Sequence, residues 1–233
     1  MMNQRFQRGA TLIVVLIILL FMTIIGTLAI RQSLVSLNIA TNGQAQQLMF
    51  ESSDAALFKI EDPTQVENQL AANGMFAYFD SADHAQDQLV FCYKANNTNF
   101  FNLQNASVIS SDGTITKNGV AGYCQSTWFS TGRSAILTQV YLTQVASNSK
   151  PLANFTLGTS AGQSTNISNT TKSISVTVIS VLPSFSSASS SDIEACFKKN
   201  KDEVGTCFSD LNIPYNIQRA DYTVGAIPTL KTS

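Results

Sequence analysis

The run from Ala10 to Ile30 constrains this chain more than any other feature, because it holds no charged residue over 21 consecutive positions. At ~1.5 Å per helical residue, such a stretch spans roughly the 30 Å hydrocarbon core of a bilayer. Arg5 and Arg8 precede it, and no acidic residue appears before Glu51. That asymmetry predicts a cytoplasmic amino terminus and an exported remainder. A secretory peptide is cut after its apolar run. Here the small residue Gly9 stands before it, between Arg8 and Ala10-Thr11-Leu12-Ile13.

The helix is expected to continue past the membrane. From Arg31 to Ile60 there is no proline, and Leu34, Leu37, Thr41, Ala45, Leu48, Ser52 and Ala55 recur three or four apart. One helix from Ala10 to about Glu61 would be ~75 Å long, with Asp62-Pro63 as its stop signal. Gly26 and Gly43 are weak points costing about 1 kcal/mol each against alanine, or else sites of close helix packing. The stripe is too poor in Leu and Ile for a coiled coil. Its small and polar members suit a surface shared between the chain's own head and other subunits.

The expected division is residues 1–9 as a leader, 10–30 as the membrane-spanning half of the helix, 31–62 as its amphipathic half and 63–233 as an exported head. The head reads as α+β, with an antiparallel sheet packed against the long helix. Residues 64–87 read as helical or irregular. Strand signals cover Gln88 to Ala95, Ala106 to Ile109, Thr114 to Lys117, Gly119 to Cys124, Ser126 to Phe129, Ser134 to Val145, Ser173 to Leu182 and Ala220 to Val224. Ser110-Ser111-Asp112-Gly113 is a hairpin signal. Residues 146–151, 158–171 and 184–191 read as loops, and Ser191-Asp192-Ile193-Glu194 has the spacing of a capping box that opens a short helix to about Asn200. Four cysteines in an oxidising compartment allow three full pairings; the expected one joins Cys92 to Cys124 and Cys196 to Cys207.

The residues offer little for catalysis. There is one histidine in 233 residues, and no nucleophile elbow, zincin or P-loop motif, so a non-enzymatic protein without a cofactor is expected. A zinc site is disfavoured by the absence of any C-x-x-C spacing. Asp80, Asp83, His84 and Asp87 would share one helical face and could hold a divalent ion, although such a run is more often a solvated face. Lys198, Lys199 and Lys201 form a small basic cluster. Removing Arg5 and Arg8 from the 14 basic residues leaves 12 against 15 acidic, a net charge of −3. That is no footprint for nucleic acid.

The junction resembles the processing site of type IV prepilins in Gly9, Thr11, Leu12 and Ile13. The run Phe50-Glu51-Ser52-Ser53-Asp54-Ala55-Ala56-Leu57 looks like the amino-terminal region of PilX-type minor pilins. The resemblance covers about the first quarter of the chain. It implies cleavage after Gly9 by a prepilin peptidase, methylation of the Ala10 amine, and assembly through Thr11, Leu12, Ile13 and Val14. Ala10 replaces the usual aromatic residue, and Val14 stands where most pilins carry a glutamate. That loss is shared by PilX-type minor pilins and the secretion pseudopilin GspK. The Cys196 to Cys207 loop is similar in position to the carboxy-terminal disulfide loop of many pilins. The function implied is a minor pilin of the inner membrane that primes a type IV pilus and sits at its tip. Its partners would be other minor pilins, the major pilin and a tip adhesin. The alternatives are a tip pseudopilin of type II secretion, or a membrane-anchored periplasmic module that binds a soluble ligand.

Overall fold

With no proline behind the apolar run, one helix continues through both: α1 spans Gln7–Glu61 in the computed structural model, which describes residues 7–79, 81–97, 102–117, 122–131, 135–145 and 172–224. Its end is built by Asp62, whose Oδ1 accepts from the hydroxyl of Thr64 at 2.7 Å and from its backbone N–H at 2.9 Å. Those bonds favour the charged carboxylate and hold it below its ordinary value. Pro63 then opens a single 3-10 turn. The buried Gln69 amide donates to the Ile60 carbonyl at 3.0 Å, filling an acceptor that a helix end leaves open.

The chain divides into two compact units, Met1–Ala45 and Gln46–Ser233. In the first, every described residue belongs to α1. The second contains the end of α1, the short helices α2 (Val66–Leu70) and α3 (Met75–Tyr78), and a six-stranded sheet. The strands are β1 (Gln88–Tyr93), β2 (Ser107–Ile109), β3 (Ile115–Lys117), β4 (Leu137–Gln144), β5 (Lys172–Val181) and β6 (Tyr215–Val224). They lie in the order β3-β2-β1-β4-β5-β6, and every neighbouring pair is antiparallel. This is the expected α+β architecture, a long apolar helix followed by an antiparallel sheet.

Alternation along the strands separates two apolar faces. Leu89, Phe91, Val108, Val140, Leu142, Ile174, Val176 and Val178 pack with Ala56 and Ile60 of α1 and with Met75, Phe76 and Phe79. Val90, Ile109, Leu137, Tyr141, Ile179 and Val181 face the other way, against α4 (Ser190–Phe197) and α5 (Val204–Asp210). The sheet is therefore sandwiched between helices, and its central strands are buried on both faces.

Several local expectations shift. The Asp112-Gly113 turn forms, with Gly113 at φ +83° and its N–H on the Ser110 carbonyl at 2.9 Å. Residues 122–129 form no strand: Cys124 is bonded to Cys92 and donates its N–H to the Gln139 side chain at 2.9 Å, which lays the segment across the sheet face. Gly122 touches that face so closely that a Cβ would collide with the Val90 carbonyl and the Ser107 nitrogen. The rest of the stretch expected as Gly119 to Cys124, and the loops at 146–151 and 158–171, lie outside the described residues. The cap of α4 is Ser189, not Ser191. Its Oγ accepts from the Asp192 N–H at 3.2 Å and pairs with the Asp192 carboxylate at 2.6 Å, while Glu194 accepts from the Ser126 N–H at 2.9 Å. Helix α5 has no expected counterpart, and β6 begins five residues before the expected Ala220.

Candidate assembly interface

In the first unit, the side chains from Leu12 to Ile39 are exposed, among them Leu12, Ile13 and Val14. The span carries no charge until Arg31. Its polar side chains are satisfied inside the helix: the Thr23 and Thr27 hydroxyls donate to the Leu20 and Ile24 carbonyls, each at 2.8 Å. A helix that meets all its own polar demands presents only hydrocarbon outward, which is what a bilayer or an apolar helix bundle requires. Among the described residues it is the one helix long and apolar enough to cross a membrane. Gly9, Ala10 and Thr11 lie in its first turns. A Cβ at Gly26 or Gly43 would meet nothing within 4 Å, so packing within the chain demands neither glycine.

The second unit holds the end of α1 by a seam that is part apolar and part polar. Met49, Ser52, Ser53, Ala56 and Ile60 are buried, whereas Ala55 of the expected stripe is exposed. The seam is displaced around the helix because hydroxyls, as well as apolar side chains, dock it. Ser53 Oγ lies 2.7 Å from Ser180 Oγ, which lies 2.8 Å from Thr138 Oγ1. Thr138 is 2.7 Å from Ser52 Oγ, and Ser52 is 2.8 Å from Ser130 Oγ. Ser130 donates to the Ile136 carbonyl at 3.0 Å. All five hydroxyls are buried. Each has one proton, and a carbonyl can only accept, so the direction of the chain is fixed: Ser53 donates to Ser180, Ser180 to Thr138, Thr138 to Ser52, and Ser52 to Ser130.

The opposite side of this helical stretch remains free for contact. Phe50 and Phe58 are 50% and 69% exposed, with Glu51 and Asp54 beside them. A groove runs along one flank, lined by Leu48, Glu51, Ala55, Tyr93, Ala95 and Ile136.

On the far face of the sheet, Gln139 joins three segments. Its Oε1 accepts from Cys124, and its Nε2 donates to Tyr141 Oη at 2.6 Å and to the Phe197 carbonyl at 2.8 Å. Tyr141 in turn donates to the Lys199 carbonyl at 3.1 Å. Burial pushes the Tyr141 hydroxyl far above its ordinary value. Cys196 is bonded to Cys207, tying α4 to α5.

The polar constellation around His84 is not a helical face. Asp83 and His84 lie in a 3-10 turn, and Asp80 lies outside the described residues. Asp87 is already engaged, accepting from the Tyr78 hydroxyl at 2.6 Å and lying 3.0 Å from His84 Nδ1. The imidazole stacks on the Tyr78 ring at 4.3 Å. Among the described residues no group of three or more His, Cys, Asp or Glu side chains is placed to hold a metal. Lys201 pairs with Asp202 at 3.5 Å. The sequence did not reveal the hydroxyl chain, whose only signal was the adjacent pair Ser52-Ser53 and the inward positions of Thr138 and Ser180.

The PilX N-terminal family model matches residues 8–58. No match is found among curated proteins or among solved structures.

Proposed function

We propose that this chain, whose residues 8–58 carry the amino-terminal region of a PilX-type pilin, is a minor pilin that primes a type IV pilus and occupies its tip. The observation that carries the reading is the conjunction of that match with a charge-free helical surface from Leu12 to Ile30. A family of structural subunits, not of enzymes, supports a role filled by packing.

Val14 supports the tip position. In a helix bundle an isolated ammonium or carboxylate is costly. A subunit with neighbours above it can use a fifth-residue glutamate to neutralise the amine of an adjacent subunit; a subunit at the very tip meets no such amine, and valine leaves no charge unpaired. The Ala10 amine of this chain would be paired by the glutamate of the subunit entering below. The head lies in the periplasm before assembly, where its cysteine pairs form, and meets other minor pilins and an adhesin at the tip.

The test is the mass and amino-terminal sequence of the protein from native membranes, with the prepilin peptidase present and deleted. A peptidase-dependent start at methylated Ala10 is expected. An intact leader in both strains overturns the reading and leaves an anchored periplasmic module. Val14→Glu is expected to lower tip incorporation and pilus number; unchanged values for both would refute the charge argument.

A further inference from the structure

The two edges of the sheet are treated differently. Exposed edges template pairing with other chains, and proteins blunt them with short strands, charged side chains, prolines or bulges. The β3 edge is three residues long and ends in Lys117. The β6 edge is ten residues long, holds no proline, confines its charges to Arg219 and Asp221, and pairs with β5 in an unbroken register from Tyr215↔Val181 to Val224↔Lys172. Among the described residues no strand pairs with its outer side.

Beside that edge stands one flank of α1. Gln218 Nε2 donates to the Phe50 carbonyl at 3.3 Å, and the Tyr222 hydroxyl donates to Glu61 Oε1 at 3.1 Å. At 100° per residue, Phe50, Asp54 and Glu61 fall within about 40° of one another on the helix, so Asp54 shares the flank turned to β6. Burial, then the Glu61 hydrogen bond and the charges of Glu61 and Asp54, push the Tyr222 hydroxyl far above its ordinary value, which agrees with both acids facing the strand. Lys59 lies on the opposite side of the helix by the same count. The flank is therefore an apolar ring followed by carboxylates. On the other face of β6, Ile217 is 42% exposed.

We propose that the outer edge of β6, together with this flank of α1, takes up an extended segment of a partner chain as a seventh strand. That segment carries an apolar side chain for Phe50 and a lysine or arginine for Asp54. Backbone hydrogen bonds would supply affinity, and alternate side chains specificity. The inference stands on the sheet edge and is independent of leader processing or tip position.

The test uses the full chain in detergent micelles and fluorescein-labelled octapeptides of alternating valine and threonine with one central lysine, read by anisotropy. A second peptide replaces the lysine by glutamate, and a third is N-methylated at alternate positions. The lysine peptide is expected to bind, the glutamate peptide about tenfold more weakly, and the N-methylated peptide not at all. Asp54→Asn, a change at an exposed site, is expected to remove the difference between lysine and glutamate. Binding of the N-methylated peptide as tight as that of its parent, equal binding of the two charged peptides to the unaltered chain, or no binding by any peptide overturns the proposal.

Discussion

Thr138→Val severs the buried hydroxyl chain at its middle link, whereas Ser53→Ala removes only its first donor. Valine matches threonine in shape, so the volume of the core is kept. What changes is the pairing on either side. Ser180, which donates to Thr138 at 2.8 Å, loses that acceptor, and the buried Ser53–Ser180 pair is left with one proton that finds no acceptor in the chain. Ser52 loses the donor that reaches it at 2.7 Å. An orphaned buried donor costs about 1–3 kcal/mol, and a typical hydrogen bond contributes about 1 kcal/mol net. Thr138→Val is therefore expected to destabilise the head by about 2–4 kcal/mol, and Ser53→Ala by about 1 kcal/mol, because Ser180 still donates to Thr138. Adding Ser53→Ala and Ser180→Ala together to Thr138→Val should restore about 1 kcal/mol or more, since the triple variant holds no orphaned proton, whereas Ser180→Ala alone would pass it to Ser53. Urea unfolding of the full chain in micelles reads these differences through the single tryptophan, Trp128, which lies in the head with the Lys94 ammonium 3.4 Å from its ring centre. Equal losses for Ser53→Ala and Thr138→Val, or a triple variant less stable than Thr138→Val alone, would refute the directed chain.

Other substitutions probe the far side of the sheet. Gln139→Leu leaves the Cys124 N–H without its buried acceptor and takes the stronger donor from the Phe197 carbonyl; a loss of about 2–4 kcal/mol is expected in urea, with both disulfides intact. Tyr141 is neutral in the fold to a pH well above its ordinary value near 10. Below about pH 10 both states keep the proton and its stabilisation is complete; above pH 10 the unfolded state releases the proton while the folded state keeps it, so stability falls as pH rises. Tyr141→Phe should lower stability at pH 8 and make the decline above pH 10 shallower by up to about 1.4 kcal/mol per pH unit, measured as urea midpoints from pH 8 to 12. Gly113→Ala, strained at φ +83°, should cost about 1 kcal/mol, whereas Gly122→Ala should prevent the 122–130 segment from seating and lower the thermal midpoint by far more.

The features legible in the sequence are those decided by neighbours along the chain. Helix α1 follows from composition and the missing prolines, its end from Asp62-Pro63, and the β2–β3 turn from Asp112-Gly113. The unforeseen features depend on partners far away in sequence. The residues at 126–129 have strand-like composition, yet the Cys92 bond and Gln139 hold their segment on the face of the sheet. Ser191 and Glu194 have the spacing of a capping box, but Glu194 serves Ser126 and the cap passes to Ser189. The first half of β6, Tyr215 to Arg219, alternates only over Tyr215-Asn216-Ile217-Gln218, with Gln218 reaching across to α1 and Ile217 partly exposed.

The same distinction bears on the site. Docking of α1 uses serines and a threonine beside the buried Met49, Ala56 and Ile60, so the helix stripe reads as weak and suited to foreign subunits. The helix surface divides instead: Ser52 and Ser53 serve the chain's own head, while Phe50, Asp54 and Phe58 face outward. A helix that must bury one face in its head and offer another to neighbours cannot be apolar on both without exposing a patch that aggregates. Buried hydroxyls ease the conflict by fixing the seam through directional bonds, so that Met49, Ala56 and Ile60 suffice as its apolar part.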